Sequence, residues 1–135
     1  MAAPPKWAQS LCLDALTWWE RQGHTAPNPS LTWRRGSSRQ SSGRANDKSI
    51  VVTAGTYRTD AKMVLLHEMA HAFTGVGHTD LFWDTAWALY RWAKLPIRYC
   101  RTREGTYRRG SLAAYARSKA AGRLQARPNQ QEARP

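Results

Sequence analysis

Residues 65–78 read LLHEMAHAFTGVGH, and the way this stretch has to fold constrains everything around it. At about 3.6 residues per turn, His67 and His71 stand one above the other on a single helix face, with Glu68 turned about 100° from His67. Two imidazoles on a rigid support with a glutamate beside them form the HExxH arrangement, in which the histidines hold zinc and the glutamate handles a proton next to it. Three of the chain's four histidines fall within residues 67–78, so this is not a scatter of isolated rings. Zinc is the expected cofactor, hydrolysis the expected chemistry, and Glu68 the expected general base and then general acid.

A catalytic zinc site needs a third protein ligand and one open position. His78 is the leading candidate, because Gly75 and Gly77 lie in the six-residue connector and let the chain leave the helix and fold back. Asp84 and, behind it, Asp80 are the alternatives, each a carboxylate on the element that follows. His24 is alone in a loop and is read as structural.

Upstream of the motif, Ser49–Thr53 carries Ile50, Val51 and Val52 and is the clearest strand, since β-branched residues suit a pleated surface. Leu31–Arg35 predicts a second short strand pairing with it as an antiparallel hairpin, and Gly36–Asp47 between them reads as a polar loop. A helix over Lys6–Gln22 follows from Trp7, Leu11, Ala15 and Trp18 at helical spacing, with Gly23 as its stop. Thr59 or Asp60 is expected to cap the motif helix, which ends by Gly75. Thr79 should cap another over Asp80–Lys94, stopped by Pro96.

The chain has 135 residues, enough for one core. Cys12 and Cys100 are too few for a disulfide framework or a four-thiolate zinc ribbon and are expected to be reduced thiols. There is no charged start followed by an apolar stretch, and no run of eighteen apolar residues, so neither signal peptide nor membrane span is expected and the default location is cytoplasmic. The net charge of +12 is uneven: residues 97–135 hold ten Lys and Arg against Glu104 and Glu132. Such a segment suits polyanions, nucleic acid above all, with Tyr99, Tyr107 and Tyr115 interleaved as stacking rings. The last dozen residues are polar and expected to be disordered.

With these residues in view, the chain resembles the SprT-like (Spartan-type) zinc metallopeptidases. The similarity runs through SIVVTAG (49–55), LLHEMAHAF (65–73) and GHTDLFW (77–83). In that family a strand precedes the HExxH helix, and a later Gly-His with an aromatic four residues on supplies the third ligand, corresponding to Gly77, His78 and Phe82. The resemblance implies His67, His71 and His78 as zinc ligands and Glu68 as the catalytic residue. It also implies an α+β, minimal zincin-like core over residues 1–96, with short antiparallel strands packed on the HExxH helix and flanking helices, followed by a partly disordered basic extension over 97–135. Peptide-bond hydrolysis is the implied activity, on proteins that include nucleic-acid-bound ones, with Ser49–Thr53 as the edge strand that pairs with extended substrate. Connectors in the family are commonly longer than the six residues before His78, and its frequent C-terminal zinc ribbon cannot form here. Tyr99, Tyr107 or an Arg of the basic segment would be the donor to the transition-state oxygen. The rival reading is a basic nucleic-acid-binding module with a structural zinc or no metal.

Overall fold

A computed structural model of the chain describes residues 3–105 and 109–132, with backbone alone at 105, 109 and 122–132. The elements in order are α1 (Lys6–Arg21), β1 (Ser30–Arg35), β2 (Ser42–Ala45), β3 (Ser49–Ala54), α2 (Arg58–Thr74), α3 (Asp80–Trp92), α4 (Ile97–Gly105) and α5 (Arg109–Glu132). The fold is α+β, with three strands and five helices among the described residues. Among the described residues no helix is long and apolar enough to cross a membrane.

The sheet order is β1-β3-β2, and it corrects the expected hairpin. β1 pairs with β3 in parallel, from Ser30 opposite Ser49 to Arg35 opposite Ala54. The antiparallel partner is β2, from Ser42 opposite Thr53 to Ala45 opposite Ile50, within the stretch read as a loop. Ser-Gly-Arg-Ala has little strand propensity of its own; its strand state comes from the ladder with β3. The turn that closes this hairpin does have a local cause. The Asn46 side-chain oxygen accepts the Lys48 and Ser49 amides, both at 2.9 Å, as an Asx turn does. β3 is therefore the central strand, and the edge beside the motif helix is β2 rather than Ser49–Thr53.

α2 crosses the sheet and also packs on α1 and α3. Eleven of its 17 residues are buried, so it is covered on most sides and its polar residues need partners inside the protein. Met63, Leu65, Leu66, Met69 and Ala70 meet Ile50 and Val52 of β3, with Phe82, Trp83, Trp87 and Leu89 of α3 in the same core. His24 stacks on Trp19 at 3.8 Å, and Phe73 stacks on the same indole at 4.8 Å, consistent with a structural role for that histidine.

Two caps differ in kind. Thr79 does cap α3, its Oγ1 accepting the Phe82 amide at 3.1 Å. α2 instead begins after Tyr57 with no side-chain cap, because Asp60 is fully buried and spent elsewhere. Its carboxylate accepts from the Ser41 amide at 2.6 Å, the Tyr99 hydroxyl at 2.5 Å and Arg103 Nε at 2.9 Å.

Those contacts also reach beyond residue 96. α4 and the start of α5 belong to the packed body: Cys100, Ser111 and Ala114 are fully buried, and Trp87 donates to Ser111 Oγ at 3.2 Å. Burial pushes the Cys100 thiol up to about 12 and the Cys12 thiol up to about 11, so both stay protonated and unreactive. Of the three interleaved tyrosines, Tyr99 is bonded to Asp60 and Tyr115 lies against Trp87 at 5.1 Å, while Tyr107 is outside the described residues. Of the last dozen residues, expected to be disordered, the structure has the backbone as far as Glu132 in α5, and 133–135 lie outside the described residues.

Candidate metal centre

His67 and His71 project from the same face of α2, as four-residue spacing requires. After Thr74 the chain turns at Gly75, whose φ of +113° and ψ of 171° lie in a region open almost only to glycine. The Gly75 amide caps the helix by donating to the His71 carbonyl at 2.8 Å, and its own carbonyl lies 2.9 Å from His71 Nδ1. One residue thus ends the helix and fixes a histidine ring. A Cβ there would meet nothing within 4 Å, so the cost of Gly75→Ala is backbone strain, about 1–3 kcal/mol. Thermal unfolding of that variant should show a lowered midpoint.

The six-residue connector is long enough. It brings His78 back so that one ligand atom from each of His67, His71 and His78 lies within 4.8 Å of the others. Tetrahedral zinc with Zn–N distances of about 2.0–2.1 Å would draw these atoms closer together than that. Three neutral imidazoles are a donor set that zinc favours. Asp84 does not join them: it is ion-paired with Arg117 at 2.8 Å on another face. Asp80 is exposed at the start of α3 and is likewise absent from the cluster.

Phe82 and Trp83 form the floor under the rings. Phe82 stacks on His71 at 4.0 Å, and Trp83 stacks on His78 at 5.4 Å. Both aromatics are almost wholly buried, and both start from the Thr79 cap, since Trp83 donates its amide to the Thr79 carbonyl at 3.0 Å. The residue that ends the connector therefore also sets the helix whose aromatics position the histidines. Trp83 was not singled out from sequence, although its place next to Phe82 and five residues after His78 is a usable signal.

Glu68 is buried, 5% exposed, at a cleft of about 200 Å³ lined by Ser41, Ser42, Gly43, His67, Arg103 and Glu104 among others. Burial raises its carboxyl above the ordinary carboxylate range; His67 opposes the shift and Glu104 adds to it. β2 passes close over it: a Cβ on Gly43 would come within 2.8 Å of Glu68 Cγ and 3.0 Å of the Val51 carbonyl. Only glycine fits the edge strand against the glutamate at that point.

Two further residues reach the site without a sequence prediction. His67 Nδ1 lies 2.8 Å from Glu104 Oε2, and the Tyr90 hydroxyl donates to the same oxygen at 3.0 Å. Tyr90 is fully buried; burial first and the Glu104 charge second raise its pKa well above normal, so its hydroxyl keeps its proton. The available signal for Glu104 was its rarity, one of two acids in a segment with ten cations. Of the donors considered for the transition-state oxygen, Tyr99 is tied to Asp60, Tyr107 lies outside the described residues, and Arg103 lines the cleft. Comparison with protein-family models, with curated proteins and with solved structures gave no match.

Proposed function

We propose that the chain is a small zinc-dependent endopeptidase of the SprT-like kind, with His67, His71 and His78 holding the ion and Glu68 as acid and base. The observation that carries this reading is the convergence of three imidazoles, the first of which lines, together with the buried Glu68 carboxyl, a cleft walled by an edge strand. His67, His71 and His78 would hold the ion, which when bound would supply Lewis acidity toward a carbonyl and toward water near neutral pH. Glu68, desolvated and held under Gly43, takes the proton from the attacking water and returns it to the leaving amine. The outer edge of Ser42–Ala45 offers backbone groups to which an extended chain adds as a further strand, along the wall of the cleft. Arg103 is the cleft residue whose guanidinium is placed to favour developing negative charge, although its Nε and one terminal nitrogen already serve Asp60 and the Ser41 carbonyl. Exposed Arg98 and Arg101 on α4 suit substrates that sit on polyanions.

Elemental analysis of the purified chain tests the reading. One zinc per chain is expected, lost in His78→Ala and kept in Asp84→Ala. A metal-free parent protein, or zinc lost with Asp84, overturns it. Chelation separates this reading from a structural-zinc module. The core of buried tryptophans and aliphatic residues lies largely outside the ligand set, so the metal-free chain should keep its circular dichroism and lose only hydrolysis.

A further inference from the structure

We propose that Glu104 is a positioning residue for the metal centre: it holds the His67 ring in one tautomer and one orientation, and Tyr90 holds Glu104. This rests on the reading of His67, His71 and His78 as zinc ligands. A carboxylate has no hydrogen to give, so at 2.8 Å from Glu104 Oε2 the hydrogen of a neutral His67 ring sits on Nδ1, and ligation falls to Nε2. Without such a partner an imidazole divides its population between tautomers and turns about Cβ–Cγ, and both freedoms must be given up when an ion binds. His71 is oriented by a backbone carbonyl, that of Gly75 at 2.9 Å. His67 is oriented by a charged group, which also makes the ring a stronger donor.

Glu104 can do this because its own place is fixed from two sides. The Tyr90 hydroxyl donates to Oε2 at 3.0 Å from the buried face of α3. One residue earlier, Arg103 clamps α4 to α2 and to the chain just before β2, through Asp60 Oδ1 at 2.9 Å and the Ser41 carbonyl at 2.9 Å. Tyr99, a turn further back, is bonded to the same Asp60 oxygen. α4 adds no ligand of its own, yet it carries the carboxylate that faces the first histidine of the motif. The segment beyond residue 96 thereby sets how tightly the centre binds its metal.

The test is the zinc dissociation constant of the full-length chain, measured at one pH by competition with a chromophoric chelator, for the parent, Glu104→Ala, Glu104→Gln and Tyr90→Phe. Long-range proton–nitrogen spectra of the zinc-loaded proteins report the His67 tautomer, and thermal unfolding of the metal-free proteins reports the fold. Zinc should bind about 10–100-fold more weakly to Glu104→Ala. Glu104→Gln should lose less, since its amide oxygen still accepts from Nδ1, and Tyr90→Phe less again. The His67 signals should lose their single Nδ1–H pattern in Glu104→Ala. A parent chain that takes up no zinc sinks the zinc-site reading itself. A parent that binds zinc, with both Glu104 variants binding it as tightly, overturns the positioning role alone. So does weaker binding that only tracks a lowered unfolding midpoint while the His67 tautomer is unchanged.

Discussion

Glu68→Gln should bind one zinc per chain and hydrolyse an unfolded protein about 10²–10⁴ times more slowly than the parent, the loss expected when a positioned acid/base is removed. The substitution is nearly isosteric, so the close contact with Gly43 and the Val51 carbonyl survives and the cleft keeps its shape. What disappears is the ability to take a proton from water and return it to the departing nitrogen. The three imidazoles are untouched, so metal content measured on the same preparation separates lost chemistry from a lost site. A variant that cleaves as fast as the parent would remove Glu68 from the mechanism and leave the histidine cluster without an assigned base.

Asp60→Ala should lower the stability of the chain by about 3 kcal/mol, read from equilibrium urea unfolding, because it takes a fully buried charged acceptor away from three donors. The carboxylate is fully buried and accepts three hydrogen bonds, from the Ser41 amide, the Tyr99 hydroxyl and Arg103 Nε. Its loss strands the buried Ser41 amide and leaves the half-buried Tyr99 and Arg103 without their shared acceptor. Arg103 suffers most: burial works against its charge, and the hydrogen bond and negative charge of Asp60 more than compensate, raising its pKa further. Asp60→Asn keeps an acceptor but no charge and should fall between. The expected loss is a large share of the roughly 5–15 kcal/mol that holds a typical domain together, so the variant should be visibly sensitive to mild heating. An unfolding curve that overlays the parent's would mean that α4 is held by its apolar contacts alone.

The elements legible in the sequence were those whose cause is local. The β-branched run at 50–52 marks β3, Gly75 and Thr79 mark where one helix ends and the next begins, and the His-x-x-x-His spacing fixes a shared face before any tertiary contact is known. The return of His78 followed from the glycines around it, and the structure brings its ring to the other two. What was not legible depended on long-range pairing. Ser42–Ala45 has no strand pattern because its partner, not its composition, makes it a strand, and the parallel register of β1 follows once β2 has taken the adjacent antiparallel place. Asp60 looked like a helix cap because the residues that claim it, Tyr99 and Arg103, are about forty positions away. Glu104 was hidden the same way, in a segment whose charge suggested an appendage while its buried side chains join the core.

The edge made by Ser42–Ala45 carries one more consequence. A strand open to a passing peptide is equally open to the same strand of another copy, and such edges seed ordered aggregates when they are long, flat and apolar. This one has four residues, a glycine, no large apolar side chain and the exposed cation Arg44. A visiting segment can bring its own side chains to the cleft, whereas two identical edges would oppose like charges and have little apolar surface to bury. The brevity that hid this strand from sequence patterning is also what keeps a receptive edge from joining to itself.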